Sequence, residues 1–304
     1  MTLTATARAK VNLYLHVAAP DARGYHPLRS MVAFADIGDE VQLVFGGKGR
    51  LRIDGPYAEG LSTGEDNLIM KAVRLFEEAT GDKNKVWDYR LTKNLPLASG
   101  IGGGSADAGA MLRLLRDWNP EMSQETFFAI ASKTGADGVM CAWSKSCIAE
   151  GYGEKLSPII LPSLPCVLIN PGVECPTPEV FQAYDEAGSY RSIYTRWIGE
   201  DVISAQDLVH GSVLCFSHNI QLTQLIDYLN TTRNDLEAPA ISLQPVIGKV
   251  LADLREQSQT LFARMSGSGA TCFALCRTDE DAEALSVRLR VMYPSGWVRR
   301  CRLG

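Results

Sequence analysis

The sequence predicts an α+β protein of two domains. Strand-like and helix-like periodicities mingle along the chain without the strict alternation of a doubly wound fold. The 304 residues suit about two domains, at ~150 residues each. Pro158, Pro162 and Pro165 punctuate a stretch between periodic segments, which places the boundary between 1–157 and 158–304.

The elements follow in order. Across 8–17, Val11, Leu13, Leu15 and Val17 point one way and Lys10, Asn12, Tyr14 and His16 the other, the pattern of a strand with one core face and one polar face. A turn-rich run, Pro20-Asp21-Ala22-Arg23-Gly24, leads through Tyr25-His26 to strands expected at 28–35 and 40–45. Leu68, Ala72, Leu75, Phe76 and Ala79 recur at helical spacing across 67–79, and a strand is expected at 86–92. The next helix, 106–118, carries Leu112, Leu115 and Trp118 three apart and stops at Asn119-Pro120; Ser123 then N-caps a shorter helix from Gln124. In the second half a strand is expected at 166–170. Thr177-Pro178-Glu179 reads as N-cap, first-position proline and first-turn acid of a helix running to 184. A helix at 245–257, a strand at 271–276, a helix at 281–292 and a strand at 297–302 complete the chain.

Composition narrows the function. Thirty basic against 35 acidic residues leave a formal charge of −5, so nothing draws the whole molecule to nucleic acid or an anionic membrane. The basic run Arg299-Arg300-Cys301-Arg302 reads as a solvated strand face. No apolar run approaches the ~20 residues of a spanning helix, and the first ten residues lack an apolar signal core. A soluble cytoplasmic protein is expected, monomeric or homodimeric. The eight cysteines, 141, 147, 166, 175, 215, 272, 276 and 301, form no CxxC pair and read as reduced buried thiols. His16, His26, His210 and His218 lack ligand spacing, so no metal site is expected.

Chemistry concentrates in a glycine loop. Ser99-Gly100-Ile101-Gly102-Gly103-Gly104-Ser105 lies between an expected strand and an expected helix, where glycines let backbone N–H groups converge and the helix N-terminus adds positive potential. It is neither a Walker A loop nor the dinucleotide fingerprint. Four glycines in five positions between two hydroxyls exceed what a connector needs, so the loop is read as a phosphate cradle. Met265-Ser266-Gly267-Ser268-Gly269-Ala270 is a second such loop, allowing phosphates to be clamped from two sides. Phosphoryl transfer also needs a carboxylate to orient or deprotonate the acceptor hydroxyl. Asp137 is the candidate, although an aspartate at such a position is ordinarily a turn or capping residue. Lys10 is its candidate partner.

Ala9-Lys10-Val11-Asn12-Leu13, the run 96–106 and the run 265–270 together resemble, in order, the three motifs of the GHMP small-molecule kinases. Arg23-Gly24-Tyr25-His26, Pro171-Gly172-Val173 leading to Phe181, and Asn234-Asp235-Leu236-Glu237-Ala238-Pro239 extend the likeness to a branch whose acceptor alcohol carries a cytidyl diphosphate. The resemblance spans nearly the whole chain. It implies a two-domain GHMP kinase-like fold with its active site in the cleft between domains, the ATP-binding domain being N-terminal, with ATP and Mg2+ as cofactors. It implies Asp137 as catalytic base with Lys10 beside it, and Pro96, Ala98, Ser99, Gly100, Ile101, Gly102, Gly103, Gly104 and Ser105 around the ATP phosphates. Asn12, Tyr25, His26, Phe181 and Thr177 would bind the acceptor, with Tyr25 and Phe181 sandwiching a cytosine and His26 hydrogen-bonding its edge. Core packing is the alternative for Phe181, and the 234–239 segment is given no chemistry beyond capping.

The sequence departs from the family in places. Gly138-Val139 follow Asp137 where Val-Pro is usual, which frees the backbone beside the base. Ser144-Lys145-Ser146 replaces a glycine-containing turn, and Gly151-Tyr152-Gly153-Glu154 stands for the usual Gly-Ile-Gly-Glu. Other GHMP kinases with a mevalonate-like, sugar or amino-acid alcohol acceptor, and a catalytically silent nucleotide binder, are the rival readings.

Overall fold

The computed structural model describes residues 1–81, 87–193 and 222–304; His210, Cys215 and His218 lie outside them. The chain forms two compact units. The first comprises Met1–Lys10, Ile37–Leu97 and Gly102–Ser144, and the second Val11–Asp36, Ala98–Ile101 and Lys145–Gly304. Strands β1 (Thr2–Val17) and β2 (Leu28–Phe45) each pass through both. The division by contact is therefore interleaved along the chain, unlike the linear boundary expected at 157/158.

In the first unit, β2 pairs antiparallel with β4 (Trp87–Thr92) through Glu40↔Thr92 to Phe45↔Trp87, and β3 (Leu51–Asp54) pairs parallel with β4. Helix α1 (Leu68–Thr80) starts where the Asn67 side chain accepts a hydrogen bond from Ile69 N and ends at Gly81, whose positive φ of 69° closes the last turn. Its Ile69, Ala72, Val73 and Phe76, spaced to share one face, are buried. It packs against α2 (Gly103–Trp118), whose Leu112 and Leu115 are also buried. Helix α3 (Gln124–Ser132) is capped by Ser123 as expected. It is followed by α4 (Gly138–Trp143), a short helix with no periodic signal in the sequence.

In the second unit, β5 (Cys147–Gly151) pairs with Leu28–Val32 of β2 and forms a hairpin with β6 (Lys155–Pro158). Strand β7 (Leu164–Asn170) then leads into α5 (Thr177–Ala187). Next come α6 (Leu222–Asn230), α7 (Glu237–Leu243), α8 (Val246–Arg255), β8 (Thr260–Met265), β9 (Cys272–Cys276), α9 (Asp279–Met292) and β10 (Trp297–Leu303). β7 lies between β10 and β9, with β8 outside β9, all antiparallel. Val167 and Ile169 of β7, Val250 and Leu254 of α8, and Leu285 and Leu289 of α9 belong to one buried cluster.

Several expectations change. The strands expected at 28–35 and 40–45 are one continuous β2. The polar face of β1, left open by the sequence, is covered: Lys10, Asn12, Tyr14 and His16 are all buried. His16 Nδ1 hydrogen-bonds with Ile193 O at 2.9 Å while Arg233 N donates to its Nε2, and burial lowers its pKa to about 4. Helix α2 begins three residues before the expected 106, inside the glycine run. The cysteines among the described residues are buried and not joined in disulfides, and none of the described helices is long and apolar enough to cross a membrane.

Candidate active site

In the first unit the N-terminus of α2 is the focus. Gly102 is its N-cap, with φ 67°, and no side chain caps it. The first N–H groups of an α-helix have no partner within the helix, so this end suits an anion. A Cβ built on Gly102 would lie 3.3 Å from Lys10 Cε and 3.6 Å from Asp137 Oδ2. The two catalytic candidates therefore flank the start of the helix. Lys10 Nζ donates to Asp137 Oδ2 at 2.8 Å. The lysine side chain is 8% exposed and the carboxylate 32%, so the pair opens to solvent on the aspartate side.

Asp137 is the N-cap of α4 by position, yet its side chain makes no capping bond. Its φ and ψ of −87° and 5° lie in the bridge region, and its carboxylate serves Lys10 instead. The turn-or-cap alternative thus describes its backbone and not its side chain. Gly138 does not loosen this segment. A Cβ there would sit 2.1 Å from Ala131 O and 2.5 Å from Thr134 Oγ1, so the residue permits a close approach that fixes Asp137. From α2, Arg113 donates to Cys141 O and Ala142 O at the end of α4 and to Thr6 O of β1. It thereby ties the helix behind Asp137 to the strand that carries Lys10. Ser105 Oγ lies 3.9 Å from the place a Gly135 Cβ would take.

The second unit holds the other half of the glycine loop and the acceptor candidates. Ser99 and Ile101 are buried, Ile101 completely, so these two offer little but backbone; Pro96, in the first unit, is buried as well. Ala98 adopts a φ of 45°, costly for a residue with a Cβ. The two glycine loops touch: Ser266 Oγ donates to Gly100 O at 3.2 Å, Thr271 N donates to Ser99 O, and a Cβ on Gly267 would sit 2.6 Å from Gly100 O. The second loop therefore buttresses the first at this point and leaves no room there for a phosphate between them, contrary to the expected two-sided clamp.

Asn12 and Thr177 both meet that second loop. Asn12 N donates to Ser266 Oγ and Asn12 Nδ2 to Ser30 Oγ, while its Oδ1 is buried without a partner. Thr177 Oγ1 shares a 2.8 Å hydrogen bond with Ser268 Oγ. Thr177 is the first residue of α5, and Pro176, not Thr177, occupies the N-cap. Asn234, read from sequence as a cap, does cap Leu236 N, but its Nδ2 also donates to Met265 O and Gly267 O. The sequence offered only the position of Asn234 before a helix, and no spacing ties it to residues some thirty places away. Ser30 was likewise not singled out, and Ser268 entered only as part of the 265–270 loop.

The proposed base sandwich is split between two neighbourhoods of this unit. Tyr25 is 63% exposed, and its ring lies 6.1 Å from that of Tyr152. Phe181 is half-buried against the core cluster and contacts His26 at a ring distance of 5.1 Å. Both His26 nitrogens are engaged: Nδ1 with Ala18 O at 2.9 Å and Nε2 with Asp185 Oδ2 at 3.3 Å. The expected edge contact to a base therefore requires that His26 give up an existing partner. Among the described residues no cluster of three or more His, Cys, Asp or Glu side chains is placed to hold a metal ion.

Comparison with known proteins fits this architecture. The description "GHMP kinases N terminal domain" matches residues 67–145 and "GHMP kinases C terminal" matches 205–294. The chain belongs to the GHMP kinase family of small-molecule kinases. It is 45% identical over 305 aligned residues to 4-diphosphocytidyl-2-C-methyl-D-erythritol kinase of Caulobacter vibrioides (strain NA1000 / CB15N), covering 100% of both chains. A crystal structure of 4-(cytidine 5'-diphospho)-2C-methyl-D-erythritol kinase superposes with a TM-score of 0.75 at 29% identity, covering 99% of each chain. Homoserine kinase from Cytophaga hutchinsonii ATCC 33406 shares the fold, with a TM-score of 0.68 at 18% identity, over 99% of this chain and 94% of its own.

Proposed function

We propose that the chain transfers the γ-phosphoryl group of ATP to the 2-hydroxyl of 4-diphosphocytidyl-2-C-methyl-D-erythritol, a step of non-mevalonate isoprenoid precursor synthesis in the cytoplasm. The observation that carries the chemistry is the Lys10–Asp137 pair beside Gly102 at the uncapped start of α2. Full-length identity of 45% to a relative of that name supports the acceptor.

In this reading Asp137 takes or orients the acceptor proton, and Lys10 stabilises negative charge as it develops. Residues 96–105 bind the ATP phosphates, chiefly through backbone N–H groups at the start of α2. Asn12, Tyr25, His26, Phe181 and Thr177 hold the acceptor. His26 acts there as a wall against Phe181. Magnesium would enter with ATP rather than in a dedicated protein cage and would supply charge neutralisation for the phosphates. We assign 1–157 to the ATP-binding portion and 158–304 to the C-terminal portion, a division supported by the two family matches on either side of it.

The test is ADP release from purified protein with MgATP, with and without the cytidyl acceptor. Acceptor-dependent ADP is expected. Release with mevalonate, homoserine or a sugar but not with the cytidyl alcohol would overturn the acceptor. Silence with every alcohol would overturn the kinase reading itself.

A further inference from the structure

Tyr152 stands in the turn between β5 and β6, outside every motif that carries the proposed reaction. It makes four contacts with the 20–26 turn. Its hydroxyl accepts from Arg23 Nη2 at 2.7 Å and donates to Asp21 Oδ2 at 2.8 Å. Its ring meets the Tyr25 ring near-perpendicularly, at 72°. The Arg23 guanidinium lies 5.1 Å from the Tyr152 ring centre and 5.7 Å from that of Tyr25, so one cation serves both rings.

Asp21 completes the bracket. Its Oδ1 accepts from Arg23 N and Tyr25 N, its Oδ2 accepts from Arg23 Nε, and its own N–H donates to Tyr25 O. The hydrogen bond from Tyr152, followed by that from Tyr25 N, holds the Asp21 carboxyl well below the usual carboxylate range. Tyr152 itself is anchored from behind, because its N–H donates to Glu154 Oε2. A turn already closed by its own hydrogen bonds is thus also fastened to a β-hairpin. It presents an aromatic ring that is still 63% exposed.

An exposed ring on a fixed backbone suits stacking, because a base that lands on it orders less of the protein on binding. We propose that Tyr152 is a positioning residue for the acceptor: through Arg23 and Asp21 it fixes Tyr25 as the stacking wall for the nucleobase. The inference rests on the reading that the acceptor carries a cytosine. It adds that this wall is set by a residue on a different hairpin.

The experiment uses the full chain with CDP as the probe. Tyr152→Val removes ring and hydroxyl, Tyr152→Phe the hydroxyl alone, and Tyr25→Ala tests the stacking wall directly. Titration calorimetry with CDP is paired with KM and kcat for the cytidyl acceptor, KM for ATP, and Tm. Tyr152→Val should raise the CDP Kd and the acceptor KM about three- to tenfold, the range of an aromatic and cation–π contact. Its kcat and ATP KM should hold. Tyr152→Phe keeps the ring against Tyr25 and Arg23 but loses the bonds to Arg23 and Asp21, so it should recover only part of that loss. Weakened binding in Tyr25→Ala with unchanged binding in Tyr152→Val overturns the role of Tyr152 and leaves the base-stacking reading standing. Unchanged binding in both overturns that reading and the proposal together. A fall in kcat, ATP affinity and Tm alongside CDP binding marks a structural role and also overturns the proposal.

Discussion

Two lysine–aspartate groupings meet the first turn of α2 in the same unit, and they differ in almost everything but composition. Lys10 and Asp137 flank Gly102, with the carboxylate 32% exposed. Lys93 approaches the next residue: a Cβ on Gly103 would lie 3.0 Å from its Nζ. Lys93 donates to Asp39 Oδ2 and, at 2.8 Å, to Asp107 Oδ2, and the three side chains are only 2%, 0% and 5% exposed. Asp39 also accepts from Asn94 N and Leu95 N, whereas Asp107 Oδ1 has no partner. The open pair has a face to offer a substrate; the sealed one has none and can act only on the position of the helix. Lysine and aspartate beside a glycine loop therefore do not by themselves mark chemistry. Solvent access decides.

The largest expected effect separates the two groupings by activity. Asp137→Ala should lower kcat by about 10²–10⁴, the usual contribution of a positioned acid–base group, with little change in ATP KM or Tm. Lys10→Met should lower kcat by about 10²–10³. Unchanged turnover in Asp137→Ala would remove the residue from the mechanism. Next in size is Lys93→Met, read as stability. Taking the cation from a buried ionic cluster leaves a carboxylate without compensation, so urea unfolding should report a loss of about 3–5 kcal/mol. A Lys93→Met protein of ordinary stability with the kcat defect of Lys10→Met would erase the distinction between open and sealed groups.

What the sequence disclosed follows the same line between local and long-range physics. Lys10, Asn12 and the glycine run were legible because spacing on a strand and a cluster of glycines are local signals. The mixed α+β class, the Ser123 cap and most helices were legible for that reason too. Lys93 was not, since its partners lie 54 and 14 residues away and no periodicity joins them. The burial of Tyr14 and His16 was hidden as well: alternation tells which residues share a face but not what covers it. Helix α2 was expected from Ala106 because glycines are poor helix formers, yet its first turn is where N–H groups have no intrahelical partner and glycine does least harm. Thr177 looked like a cap because threonine caps helices often, whereas its hydroxyl meets Ser268, 91 residues on. Six residues of α4 were too few to show a period.

The smallest effect tests the sealed cluster from the side of its spare carboxylate. Burial pushes the Asp107 carboxyl up to about 8, against the pull of Lys93 and helped by the Asp39 charge, and its partnerless Oδ1 leaves a proton an oxygen to occupy. The unfolded chain releases that proton near pH ~4. Between roughly pH 4 and 8 the folded protein therefore holds a proton that the unfolded one lacks, and stability falls as pH rises through that window. A single group contributes a slope no steeper than about 1.4 kcal/mol per pH unit. Asp107→Asn keeps the shape and removes the titration. Buried neutral His16 contributes the opposite slope below its unfolded value, gaining stability from about 4 upward, and is common to both proteins. The quantity to read is thus the difference between the two curves of unfolding free energy at pH 5 and pH 8. The native protein should lose more stability than Asp107→Asn across that interval. Parallel curves would mean that Asp107 is ionised throughout that interval.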